Sequence, residues 1–155
     1  YTAFDASFNS TALNRAGKSK RSGVELSGRW EATSALSFAG QATFLQSESD
    51  DGSDEIRVPD SMASLSVDWQ PDADGLRVGA ALDYVGEQDD FDFGSFPSRR
   101  VTLDAYTLFS ASFEVPLTER MALTLRGENL FDETATDVYG YETPGAAAFI
   151  GLKLR

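Results

Sequence analysis

Apolar and polar residues trade places along this chain with a period of two, and the pattern returns many times. Successive side chains of a β-strand point to opposite faces, so this alternation predicts strands; the helical period is weak everywhere. In GVELSGRWEA, Val24, Leu26, Gly28 and Trp30 share one face, and Glu25, Ser27 and Arg29 the other. LSFAGQATFL sets Leu36, Phe38, Ala42 and Phe44 against Ser37, Gln41 and Thr43. SLSVDWQ sets Leu65, Val67 and Trp69 against Ser64, Ser66 and Asp68, and LRVGAALDY sets Leu76, Val78, Ala80, Leu82 and Tyr84 against Arg77, Gly79 and Asp83. VTLDAYTLFSASFEVP sets Leu103, Phe109, Phe113 and Val115 against Asp104, Ser110, Ser112 and Glu114. MALTLRGENLF sets Met121, Leu123 and Leu125 against Thr124, Arg126 and Glu128. The closing run sets Ala146, Ala148, Ile150, Leu152 and Leu154 against Ala147, Phe149, Gly151, Lys153 and Arg155. With YTAFD and the opening of TALNRAGKSKRSGVEL included, about eight strands are expected.

The links between these runs alternate in length. EATSA, QPDADG and PLTE are short and carry turn-forming residues. SESDDGSDEIRVPD, GEQDDFDFGSFPSRR and DETATDVYGYETPG are long and polar. Short turn, long loop, short turn describes an antiparallel up-and-down meander with one plain rim and one elaborated rim, the asymmetry of outer-membrane barrels.

Alternation alone leaves two hosts for the apolar face, a protein core or a lipid bilayer. No stretch approaches the roughly 18 consecutive apolar residues of a membrane helix, which leaves strands as the only way across. The polar faces mix Ser, Thr, Gln, Arg, Asp and Glu with Gly and Ala, which suits a wet lumen better than a soluble exterior. Trp30 and Trp69 sit at strand ends beside short turns, where an interfacial girdle or the cap of an ordinary core would use them. A membrane barrel and a soluble all-β domain both stay open at this point.

Composition narrows the chemistry. The 155 residues carry 25 acidic and 13 basic side chains, a net charge of −12, which argues against nucleic-acid binding. With no cysteine and no histidine, the chain has no disulfide framework, no thiolate nucleophile and neither a Ser-His-Asp nor a Cys-His centre. ESDDGSDE lacks the ligand spacing of a calcium loop and reads as a solvated acidic loop, so no metal, cofactor or catalytic group is expected. The chain starts at Tyr1 without a signal-peptide pattern, as a mature product or a piece of a longer polypeptide would.

Three segments, taken in order, resemble the C-terminal end of TonB-dependent outer-membrane receptors: NRAGKSKRSGVELSGRW, RVPDSMASLSVDWQP, and the stretch from Val101 to Arg155. Within the third, LDAYTLFSASFEV, GENLFDE, YGYETPG and FIGLKLR are similar to the family's last three strands in order and spacing. The resemblance implies an all-β transmembrane barrel of which residues 1–155 supply the last eight or so of about 22 strands, with the plug domain and earlier strands outside this chain. It implies that the last strand runs toward the periplasm and that every short turn lies on that side. It also implies an outer-membrane location in a Gram-negative bacterium and uptake of a ferric siderophore, a corrinoid or an oligosaccharide, powered through the TonB complex acting on the plug. The family usually ends on an aromatic residue, so the natural polypeptide is expected to continue past Arg155 or to have been trimmed there. Two rivals remain, a complete eight-stranded outer-membrane barrel acting as adhesin, anchor or pore, and a soluble β-barrel holding a small ligand.

In that frame the long loops face outward. Phe91, Phe93 and Phe96 stand among acids, where aromatics either pack on a neighbouring loop or contact cargo. Tyr139 and Tyr141 flank Gly140 and either shape a turn at the membrane interface or stack on cargo. Arg29, Arg77, Asp104, Arg126 and Glu128 are candidate lumen charges. Arg15, Lys18, Lys20 and Arg21 form a basic cluster able to pair charges in the lumen, attract an anionic cargo, or meet lipopolysaccharide phosphate. The expected partners are lipid and lipopolysaccharide, the cargo, and TonB through the plug.

Overall fold

The structure, a computed structural model, describes residues 2–4, 7–12 and 17–154. Arg15 and Arg155 lie outside them. A short hairpin pairs β1 (Thr2–Phe4) with β2 (Ser10–Ala12). The main sheet then runs through β3 (Lys20–Glu31), β4 (Leu36–Glu48), β5 (Ser61–Trp69) and β6 (Arg77–Val85). A second hairpin, β7 (Gln88–Asp92) with β8 (Arg99–Leu103), interrupts it. The sheet resumes with β9 (Tyr106–Thr118), β10 (Met121–Glu128) and β11 (Ala147–Leu154). Its spatial order, β3-β4-β5-β6-β9-β10-β11, is antiparallel throughout. The eight-strand reading thus resolves into seven meander strands among the described residues, while Thr2–Phe4 and Ser10–Ala12 pair with each other.

The connections keep the expected alternation. Residues 32–35, 70–76 and 119–120 turn tightly on one rim, and residues 49–60, 86–105 and 129–146 build the other.

Register carries the two faces across the sheet. Leu36, Trp69, Val78, Phe113, Leu125 and Ile150 lie opposite one another in a single row over six strands. The neighbouring row on the reverse face is Ser37, Asp68, Gly79, Ser112, Arg126 and Phe149. Because the side-chain period is two, a slip of one residue at any pair would send a polar strand face into the apolar row.

Among the described residues, nothing covers the apolar face. Trp30 is 66% exposed, Leu65 53% and Ile150 76%. The buried apolar residues among those described are only Leu103, Tyr106, Ala122 and Ala135. A soluble domain buries such a face, since each large apolar side chain gains about 1.5–3 kcal/mol from leaving water. Here the described residues supply no such cover. Trp30 stacks on Phe38 at 5.6 Å on the short-turn rim, beside Trp69. Toward the long-loop rim Phe109 stacks on Phe131 at 5.0 Å. The apolar band is therefore bordered by aromatic rings at both ends, as in a membrane barrel.

One strand assignment shifts. Val101 and Leu103 belong to β8 and pair with β7, not with the wall. Leu103 is consequently buried in the loops rather than set on the face of Phe109. Asp104 lies at the β8–β9 junction on the long-loop rim, outside the strands of the main sheet. Close strand approach also fixes Gly23, where a Cβ would run into the Phe44 carbonyl oxygen and sit 3.2 Å from Leu45 Cα.

Candidate functional site

Two regions carry concentrated polar chemistry: the crown of three long loops and the polar face of the sheet. The first loop, residues 49–60, opens with a turn in which Asp51 Oδ1 accepts hydrogen bonds from the Ser53 hydroxyl and main-chain N–H at 2.6 and 3.0 Å. Those donors hold the Asp51 carboxyl below its ordinary range. Gly52, at φ +81°, provides the left-handed step the turn needs. Arg21, from the basic cluster, pairs with Glu55 and pins this loop to β3. That hydrogen-bonded guanidinium keeps Glu55 below its ordinary range. Lys20 borders a cavity of about 720 Å³ together with Glu48, Asp54, Glu87 and Asp89.

The three loops converge on Asp90, which is fully buried. Arg57 of the first loop donates Nε to Asp90 Oδ1 at 2.9 Å. Phe91 donates its main-chain N–H to the same oxygen at 2.8 Å. Tyr139 of the third loop donates its main-chain N–H to Oδ2 at 2.8 Å. Burial pushes the Asp90 carboxyl up, but the N–H groups of Tyr139 and Phe91 and the Arg57 guanidinium outweigh it and leave it below its ordinary range. Arg57 reaches the hairpin twice, since its own N–H donates to the Asp89 carbonyl at 2.7 Å. It does so at φ +58°, a left-handed conformation that costs a non-glycine residue about 1–2 kcal/mol.

Further bonds knit the crown. Arg100 donates to Asp89 Oδ2 and to the Asp54 carbonyl, both at 2.7 Å. The Tyr106 hydroxyl donates to Asp137 Oδ1 at 2.7 Å, anchoring the third loop to the top of β9. Asn129 closes that loop at its base: its Nδ2 donates to the Glu133 carbonyl at 2.8 Å, and its Oδ1 accepts from the Glu133 N–H at 2.9 Å.

The aromatic candidates divide. Phe91 is half-buried and packs on Phe93 at 5.9 Å, so part of the trio packs within the loop. Phe93 and Phe96 stand exposed, as does Tyr141, while Tyr139 is tied in by its main chain. Gly140, at φ +83°, turns the chain so that Val138 and Tyr141 bridge. Tyr139 and Tyr141 line a cavity of about 680 Å³ with Thr102, Asp104, Thr136 and Glu142. Two tyrosine rings beside hydroxyls and two carboxylates can stack on, and hydrogen-bond to, a polyhydroxylated or polar aromatic molecule.

On the polar face several wall charges occur as pairs. Arg29 meets Glu31 at 2.6 Å and donates to Ser37 Oγ at 3.2 Å. Arg126 meets Glu128 at 3.1 Å and lies over the Phe149 ring, 4.9 Å from its centroid. Arg77 donates to Gln70 Oε1 at 2.7 Å, an amide partner rather than an acid. The Lys153–Glu114 pair at 3.1 Å was not among the expected charges, although both residues fall on the polar side of the alternation. Ser66, Gly79, Ala81, Ser110 and Ser112 form a shallow valley of small side chains between these pairs.

Asp90, Arg57, Asn129 and Asp137 are the residues that sequence reasoning missed. Asp90 sits in EQDDFDF among other acids, with nothing in the string to single it out. Asn129 lies within the quoted GENLFDE motif and could have been raised there.

A family model described as TonB dependent receptor-like, beta-barrel matches residues 1–130. Over 91 residues, 59% of this chain, the sequence is 29% identical to the vitamin B12 transporter BtuB of Vibrio cholerae. The fold is similar to that of FpvA of P. aeruginosa, solved bound to heterologous pyoverdines, with TM-score 0.77 and 19% identity over 99% of this chain. It is also similar to the siderophore receptor PiuA from Acinetobacter baumannii, with TM-score 0.76 and 20% identity over 99% of this chain. The chain spans 13% of the curated relative and 23–24% of those two solved chains.

Proposed function

The chain belongs to the TonB-dependent receptor β-barrel family of the Gram-negative outer membrane, and on that premise we propose that it forms wall and outer loops of a nutrient transporter. The carrying observation is the in-register apolar face, open across seven strands and backed by a face of paired charges. Lipid hydrates no backbone group, so the unpaired sides of β3 and β11 call for further strands to complete the cylinder. An eight-stranded barrel closed within this chain is disfavoured because, among the described residues, β3 pairs only with β4 and β11 only with β10. A soluble barrel is disfavoured by the uncovered apolar face.

In this reading the cargo is a ferric siderophore, a corrinoid or an oligosaccharide. Relatives named as a vitamin B12 transporter and as siderophore receptors support the first two classes. Cargo would meet the loop crown, and the polar wall would face the plug. TonB pulling on that plug would couple uptake to the inner-membrane proton gradient. The relatives are named transporters and receptors, which supports a role without catalysis.

The test is uptake by cells producing the full polypeptide in a strain lacking related receptors. Labelled ferric siderophores, cyanocobalamin and oligosaccharides would be offered with and without a protonophore. The proposal expects accumulation of one class that collapses when the proton gradient is dissipated. Accumulation indifferent to the protonophore would sink the energy-coupled reading.

A further inference from the structure

We propose that Asp90 is a positioning residue that joins the three long loops into one body, so that the aromatic groups of the second and third loops are carried in a fixed relation. The inference rests on the transporter reading only in placing these loops outside the cell.

The geometry is unusual for loops on an exposed rim. Loops on a surface are ordinarily held by their own short-range bonds and move independently. Here one carboxylate, with no exposed surface, is shared by donors from residues 57, 91 and 139. Two of the three donors are main-chain N–H groups, so the bonds locate backbone rather than flexible side-chain tips. Both carboxylate oxygens are used, and only acceptors face the three donors. An asparagine could not copy the arrangement, because its amide would turn two hydrogens toward N–H donors.

The consequence reaches the exposed rings. Phe91 receives its main-chain position from Asp90 and packs on Phe93. Tyr139 receives its position from the same carboxylate, and the Val138–Tyr141 bridge extends it to Tyr141. Phe93 on one loop and Tyr141 on another are therefore set by a common buried group that touches neither ring. Such preorganisation spares a cargo the entropic cost of ordering each loop separately. The left-handed Arg57 fits the same picture, since its strained backbone is held where both its N–H and its guanidinium meet the hairpin.

The first test needs no variant and no cargo. In the full polypeptide, folded in detergent, amide hydrogen exchange of Arg57, Phe91 and Tyr139 is followed with increasing urea. One body expects their protection to match within about threefold and to fall with a common slope. The second test changes the first loop and reads the third. Arg57→Ala is expected to speed exchange at residues 138–141 several-fold while the seven strands keep their protection. Independent slopes for the three amides, or a response confined to residues 53–60, would overturn the proposal. Either result leaves the uptake assay untouched, so this inference and the transport reading fail separately.

Discussion

Asp90 Oδ2 accepts the main-chain N–H of Tyr139 at 2.8 Å, across a separation of 49 residues. That one bond joins the hairpin between β6 and β9 to the loop between β10 and β11. Because β7 and β8 form a two-stranded sheet of their own, this bond reaches a loop that their strand pairing does not.

Acid should release this joint. The Asp90 carboxyl is held below its ordinary value of about 4. A group depressed by folding contributes its stabilisation fully above the unfolded pKa and loses it as pH falls through the folded one. The charged groups around it are Arg57 from the first loop, Asp89 and Arg100 of the hairpin, and Asp137 of the third loop. Acid therefore removes the anion that the Arg57 guanidinium pairs with. Protease cleavage within residues 129–146 is expected to be slow and flat from pH 7 to about 4, then to rise below it.

Tyr106→Phe removes a hydroxyl that donates to Asp137 at 2.7 Å. A hydrogen bond to a charged group is worth about 1.5–3 kcal/mol, and this one lies partly buried. The variant should insert normally and lose protection of the third loop, read by hydrogen exchange at residues 134–143. Unchanged exchange there would show that Asn129 and Asp90 hold the loop without it.

The two faces predict opposite responses to one charge. Leu65→Arg puts a cation in the apolar face at mid-strand, at a cost of about 2–4 kcal/mol in the bilayer. Ser64→Arg places the same side chain on the polar face, opposite Asp83, and should be tolerated. Heat-modifiable electrophoresis of outer-membrane fractions measures the difference. Equal behaviour of the two variants would contradict the assignment of faces.

Gly23→Ala should loosen the β3–β4 pair. The added Cβ meets backbone, the Phe44 carbonyl and Leu45 Cα, so no side-chain rotation relieves it. Overpacking of this kind costs about 1–3 kcal/mol. The unfolding temperature should fall, whereas Gly28→Ala, which meets nothing within 4 Å, should leave it unchanged.

The sequence by itself determined the class of fold. Alternation, turn-rich short links and long polar loops are local properties, and a strand's period of two prints directly onto residue order. The rim asymmetry, the tryptophans beside the short turns and the polarity of Arg29, Arg77 and Arg126 were legible for that reason. Leu103 was set with Phe109 because the two share the same parity across the β8–β9 junction. Which strand a segment pairs with is a property of hydrogen bonding across the sheet, and β8 pairs with β7.

Tertiary structure alone decided the loop crown. Glu87, Asp89, Asp90 and Asp92 are four acids within six residues, chemically near-identical in the string. Asp90 differs because folding brings an arginine from before it and a main-chain N–H from long after it to its two oxygens. Burial and long-range partners are sums over distant chain, and no local pattern encodes them.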